Sequence, residues 1–201
     1  MRQRGAGRIL FGAALLVALA LDTMSGIAKV AGFHHRHEGE LALSRAELDS
    51  AFAHLASAQR WQPGDSPTFV LVGRVISQAQ ANGLPLEALE GHRATDEFGV
   101  GAASVIQGIA LSPADAFAWF ALVDVYEGFR TARVRYQAMK RAGEAVLPGA
   151  QAAPPPVKAV GLDAEDQVSV AATLQALELE PNFYFYRDYL AKLYWDRGLE
   201  T

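Results

Sequence analysis

Apolar residues recur at helical spacing along most of this chain, and no stretch alternates apolar and polar with period two, so no strand is predicted. Ser44 followed by Glu47 has the form of a capping box, with the hydroxyl accepting from an end N–H and the carboxylate reaching back. Behind it, Leu48, Phe52, Leu55 and Ala58 or Gln59 share one helical face. The next helix holds Pro67 early and Gly83 as its C-cap. A short helix over 85–91 and a looser, glycine-rich one over 96–110 follow. Ser112 then reads as a cap with Pro113 at the first helical position, and a further helix over 131–147 pairs with the one it starts. Residues 148–161 contain Pro154, Pro155 and Pro156, keep no apolar period, and read as an extended linker. Helices over 163–179 and 182–198 come last.

The N-terminal pattern is different. Arg2, Arg4 and Arg8 stand without an acid, and residues 9–21 are uncharged and almost wholly apolar. That run suits the core of a signal peptide, and Ala18-Leu19-Ala20 supplies a small-residue cleavage pattern. Apolar character resumes through Ile27, Ala28, Val30, Ala31 and Phe33, interrupted by Asp22 and Lys29, so a tilted helix over 8–28 also reaches the ~20 residues of a full span. Two readings stay open, an uncleaved single-pass anchor and a signal cleaved near Ala20; a buried soluble helix is a third. The first two leave the arginines in the cytoplasm and the body outside, in the periplasm if the membrane is a bacterial inner membrane. The expected division is a cytoplasmic tip and anchor over 1–33, a juxtamembrane linker over 34–43, and a helical domain over 44–201.

Three inter-helix signatures repeat: RWQPGDSPTF, ALSPADAFAW and ELEPNFYFYR. Pro113, Pro148 and Pro181 are 35 and 33 residues apart, the period of a helix–turn–helix repeat. Trp119, Leu122 and Tyr126 in one first helix, and Leu190, Ala191 and Tyr194 in another, match the W-x2-L-G-x2-Y pattern in part. Val123 stands where that pattern has glycine, and Arg187 where it has tryptophan. Phe69, Val72, Gly73 and Ile76 make a degenerate copy, and Ala51, Leu55 and Ala58 fall at small–large–small positions before Pro63. Over roughly 44–198 the chain resembles the tetratricopeptide repeat family, with an insertion around 84–95 and a first helix missing after Pro148. The resemblance implies an all-α, right-handed solenoid of helical hairpins behind an N-terminal transmembrane or signal-anchor helix.

The family's register implies a groove lined by Phe117, Phe120, Asp124 and Glu127 in one first helix and by Phe185, Asp188, Lys192 and Trp195 in the last. It sets Tyr186, Leu190, Leu193 and Tyr194 on the buried side. Rings beside charges are anchors and selectors for a peptide or helix. Aromatics at helical spacing also serve as core, so Phe185→Ala and Trp195→Ala separate the two roles. A fold that survives with weakened capture means groove, and melting means core.

Composition narrows the chemistry. The net charge of −4, with both signs mixed along the chain, argues against a nucleic-acid binder, which needs a concentrated basic surface. Without cysteine there is no disulfide, no thiolate metal site and no cysteine on which a bacterial lipoprotein could be lipidated. His34, His35 and His37 crowd into four residues and cannot converge on one metal from one helix face. GVGAASVIQG lacks the third glycine and the preceding strand of a dinucleotide loop. His54, and His92 near Asp96 and Glu97, have no nucleophile beside them. The expectation is therefore a non-catalytic scaffold or adaptor without cofactor or metal. It would hold a membrane-associated protein or peptide partner, as anchored repeat proteins of envelope assembly and export do. The alternatives are an accessory subunit of a membrane complex and a periplasmic hydrolase or metal-delivery protein.

Overall fold

Small residues set how closely the helices approach. The structure, a computed structural model, describes residues 3–84, 86, 89, 94–145 and 162–198. Its described residues are all-helical, without a strand. Helix α1 (Gln3–Ser44) meets α2 (Leu48–Trp61) where Gly39 lies against Ala51 and Leu55, and Gly32 against Gln62. Lower numbers on α1 meet higher numbers on α2, so the two run antiparallel. Leu48, Ala51, Leu55 and Ala58 are the buried stripe of α2, at the i, i+3, i+7, i+10 spacing of one helical face.

Helix α3 (Ser66–Asn82) is buried on most of its circumference. On one side Val72, Val75, Ile76 and Ala79 join α1 and α2 in one apolar cluster, together with Leu86 and Leu89. On the other side Val70 belongs to a second cluster built from α4 (Ala94–Leu111), α5 (Ala116–Ala145), α6 (Ala164–Leu179) and α7 (Tyr184–Asp196). Each fully buried aliphatic side chain, such as Leu55, Val75, Val105 or Val125, contributes roughly 1.5–3 kcal/mol. Gly73 faces Val105 and Gly101, and Gly108 faces Val70 and Ser66, so α3 and α4 are antiparallel and nearly in backbone contact. Ser66 Oγ donates to the Gly108 carbonyl and Ser104 Oγ to the Phe69 carbonyl, both at 2.8 Å.

Three turns repeat one hydrogen-bond pattern. Gln62 N–H donates to Ala58 O at 2.8 Å, Asp65 N–H to Gln62 O at 3.1 Å, and Thr68 N–H to Asp65 O at 3.1 Å. Ser112, Asp115 and Ala118 do the same to Gly108, Ser112 and Asp115 at 3.0, 3.1 and 3.1 Å. Glu180, Phe183 and Tyr186 donate to Ala176, Glu180 and Phe183 at 2.9, 3.2 and 3.3 Å. In each turn a proline follows the first donor: Pro63, Pro113 or Pro181. Having no N–H, it cannot continue the helix.

Several expectations need correcting. The supposed linker over 34–43 is the last part of α1, with Gly39 and Ala42 buried, because its contact face is made of small residues that hydropathy does not register. Ser44 does not cap α2: its hydroxyl donates to the Leu41 carbonyl at 2.7 Å, and Glu47 occupies the N-cap without a side-chain bond. Helix α1 ends instead with Ala46 at φ 60°, Ala46 N–H on Leu43 O and Glu47 N–H on Ala42 O, the Schellman arrangement usually given to glycine. Gly83, at φ 67°, closes α3 in the same way, as its sequence position predicts. Ser112 and Pro113 lie in a turn, and Asp115 Oδ1 accepts from the N–H groups of Phe117 and Ala118 to begin α5. The two helices expected over 112–128 and 131–147 are one, since α5 runs unbroken through Gly128. The 148–161 linker and His92 lie outside the described residues.

Candidate functional site

Contacts along the chain make α1, α3, α5 and α7 parallel. Arg36 meets Asp65 at 3.0 Å at the start of α3, while Glu40 and Leu43 share a depression with Leu71 and Gln78 further along. Arg74 pairs with Asp124 at 3.2 Å, Ser77 lies against Gly128, and Arg135 reaches the Ala81 carbonyl. Phe120 stacks on Tyr186 at 4.8 Å between centroids, and the Tyr189 hydroxyl donates to Glu127 Oε1 at 2.9 Å.

On the face these helices share lies an open depression of about 710 Å³, walled by Glu40, Leu71, Arg74, Gln78, Asp124 and Glu127 among others. A second, of about 360 Å³, is lined by Glu127, Tyr189, Lys192 and Arg197 among others, so the two share Glu127. Both signs of charge line this path. Glu40 pairs with Arg36 at 3.6 Å, and Glu127 with Arg130 at 3.2 Å. The Arg74 guanidinium also lies 5.1 Å from the Phe117 ring centroid, a cation–π contact that fixes its position over the depression. Burial pushes the Asp124 carboxyl above its ordinary value; Arg74 draws it back in part, and Glu127 adds to the rise. Burial, then the Glu127 charge, drive the Tyr189 phenol far above its ordinary value.

Of the eight residues singled out from the sequence, Asp124 and Glu127 line the larger depression, and Glu127 and Lys192 the smaller. Phe117, Phe185, Asp188 and Trp195 are exposed and lie outside both. Phe120 is a correction. It is 7% exposed, enclosed by Phe185, Tyr186 and Tyr189, because the next parallel helix covers that position. On α3 the corresponding residue is Val70, also buried. The same register, moved from Pro113 back to Pro63, marks Arg74 and Ser77, so the α3 wall was within reach of the repeat pattern. Glu40 lies outside that register, because the polar stretch over 34–43 reads as a linker.

The histidines are divided. His35 Nδ1 lies 3.5 Å from His54 Nδ1 across the α1–α2 contact, while His37 stacks on Phe33. Among the described residues no three His, Cys, Asp or Glu side chains gather as metal ligands. Gly101 and Gly108 of the glycine-rich stretch serve the α3–α4 contact.

Among the described residues one helix, α1, is long and apolar enough to cross a membrane by length and composition. Leu15, Leu16, Val17, Leu19, Leu21 and Met24 are all exposed and point to every side of it, and no protein surface covers them. No protein-family model matches the chain, and no curated protein matches it at significant sequence similarity, so its own residues are the basis for any functional reading.

Proposed function

We propose that this chain is a non-catalytic, membrane-tethered scaffold or adaptor. In this reading α1 crosses a bilayer once, with the arginine-bearing tip in the cytoplasm and the body on the far side, the periplasm of a bacterial envelope. The body is a stack of helical hairpins similar to tetratricopeptide repeats: α1–α2, α3–α4, α5–α6, then α7. Supporting this are the three equivalent proline turns and, before each, a buried stripe in which two small or short residues flank a third. These are Ala51, Leu55 and Ala58; Gly101, Val105 and Gly108; and Ser169, Thr173 and Ala176.

The observation that carries the binding role is a pair of charged depressions, one walled by α1, α3 and α5 and the other by α5 and α7, that share Glu127. A polypeptide crossing both meets Glu40, Arg74, Asp124 and Glu127 in the first and Lys192 in the second. Tethering raises the local concentration of partners in the same membrane, so modest contacts suffice. A photo-crosslinking amino acid at Gln78, inside the depression, should capture one discrete polypeptide in native membranes; at Gln107, exposed on α4, it should not. Equal products from both positions, or none from Gln78, would sink the groove. The tether has its own check. The membrane fraction should retain the intact 21.6 kDa chain after alkaline carbonate extraction, whereas a soluble species shortened near Ala20 means a cleaved signal.

A second reading, an accessory subunit of a larger membrane complex, is favoured by apolar surface away from the depression: Trp195 is 83% exposed, and Val134 and Tyr136 are exposed on α5. A subunit of that kind should aggregate when purified without its complex, and an adaptor should not.

A further inference from the structure

The first helix ties the depth of the body to the depth of its apolar segment. Residues 9–28 cover ~30 Å of helix, the thickness of a hydrocarbon core. Gly32, four residues and roughly 6 Å further on, faces Gln62, and Arg36 binds Asp65. Trp61, Gln62 and Gly64 also enclose a hollow with Ser25, Ala28 and Lys29. The turn between α2 and α3 therefore stands within a few ångströms of where the apolar segment ends. A headgroup layer is itself roughly 5–8 Å deep, the difference between the hydrocarbon core and the whole bilayer.

Because α1, α3, α5 and α7 are parallel, the two other proline turns lie at the same end of the body. Arg74 meets both Phe117 and Asp124, which sets the start of α5 level with the start of α3; Phe120 against Phe185 and Tyr186 does the same for α7. Exposed rings collect at this end: Trp61 on the first turn, Phe117 at the second, and Phe183, Tyr184 and Phe185 at the third. Asp65 and Asp115 are engaged by Arg36 and by backbone N–H groups, and Glu180 is exposed. Trp61 and Tyr184 have an apolar body and a polar tip and so favour the membrane–water interface, and the three phenylalanines beside them add apolar surface.

We propose that this edge is a lipid-facing rim, with Trp61 and the Phe183–Phe185 turn resting in the headgroup layer of the bilayer that α1 crosses. The inference rests on α1 being a membrane span and goes beyond it. The body lies down on the membrane with its charged depression running alongside, instead of swinging on a flexible stalk. Rings, not charges, hold the rim, so raised salt leaves the contact intact.

The cysteine-free chain makes the test direct. Spin labels at single cysteines replacing Leu16, Trp61, Tyr184 or Trp195 are read in the full chain, reconstituted in vesicles of phosphatidylcholine and phosphatidylglycerol. Collision with lipid-soluble oxygen is compared with collision with a water-soluble nickel chelate. Labels at 16, 61 and 184 should favour oxygen, and the label at 195, at the other end of α7, should favour nickel by several-fold. Nickel preference at 61 and 184 with oxygen preference at 16 overturns the rim and leaves the span. Nickel preference at 16 overturns both. A label at 184 shielded from both reagents means a protein neighbour covers the rings, which also overturns the lipid assignment. In the unlabelled chain, brominated phosphatidylcholine should quench tryptophan fluorescence, and Trp61→Phe should lower that quenching, with Trp119, whose indole donates to Pro113 in the second turn, supplying the rest. Quenching unchanged by Trp61→Phe counts against the rim independently of any label.

Discussion

Asp166→Ala should destabilise the body by about 3–5 kcal/mol, a large share of the ~5–15 kcal/mol that holds a typical domain folded. Asp166 is wholly buried at the start of α6 and accepts from Arg197 Nε at 2.6 Å and Arg197 Nη2 at 2.9 Å. Arg130 binds the same carboxylate, and a reciprocal capping box joins it to Asp163. One side chain thus fastens α5, the N-terminus of α6 and the end of α7. Truncating it leaves the half-buried Arg197 without the carboxylate it binds, while Arg130 keeps Glu127, Asp163 and Glu165, so the loss includes the unpaired Arg197 charge as well as the missing bonds. Asp166→Asn, which keeps the shape, should cost less.

The same site sets an acid dependence. Burial alone would raise the Asp166 carboxyl, but hydrogen bonds from Arg197, the Asp163 backbone and Arg130, with the Arg130 charge, outweigh it and hold the group below its ordinary 3.8. A lowered folded value means that this contribution is complete above the unfolded value near 4. It fades as the pH falls through the folded value. Urea unfolding of the wild type should therefore shift to lower denaturant on acidification below about pH 4, and Asp166→Asn should lose the Asp166 share of that shift. An Asn variant with an unchanged acid limb would show that other carboxylates carry the whole effect.

Gly128→Ala should cost about 1–3 kcal/mol although alanine is the better helix former. A Cβ there falls on Ser77 Oγ and comes within 2.6 Å of the Ser77 carbonyl oxygen, so α3 and α5 must separate, breaking the bond from Ser77 Oγ to the Asp124 carbonyl. Gly99→Ala on α4 is the control: nothing lies within 4 Å of its Cβ. With no clash to offset propensity, that change should stabilise by about 0.5–1 kcal/mol. Thermal unfolding of the pair should move in opposite directions. The same direction for both would mean that α3 and α5 are not in backbone contact at Gly128. Ser77 and Gly128 also border the larger depression, so Gly128→Ala should reduce crosslinking from Gln78 more than its stability loss alone explains.

Helix positions were legible where polar and apolar residues alternate clearly and a proline or glycine marks the end. α2, α3, α4, α6 and α7 fall close to their expected ranges, and Gly83 closes α3 as foreseen. The pattern misled where glycine and alanine do the packing. Gly32, Gly39 and Ala42 gave no apolar signal and hid the last part of α1; Gly128 looked like a break because a glycine's role as a contact point depends on a neighbour that the local sequence does not contain. The places of Asp124, Glu127 and Lys192 beside the depressions follow from the repeat register, and the same register counted from Pro63 marks Arg74 and Ser77. Phe120 could not be read correctly, since its burial is decided by α7, more than sixty residues away.

By itself the sequence determined the helical class, the apolar N-terminal segment and the points where prolines stop one helix before another starts, since these follow from local periodicity and from backbone groups that a proline lacks. Tertiary structure decided which helices run parallel, which rings are enclosed and which are left in the open, and how far above the apolar segment the body begins. Those outcomes depend on side chains distant in sequence meeting across close helix contacts, where one added carbon is enough to push two helices apart.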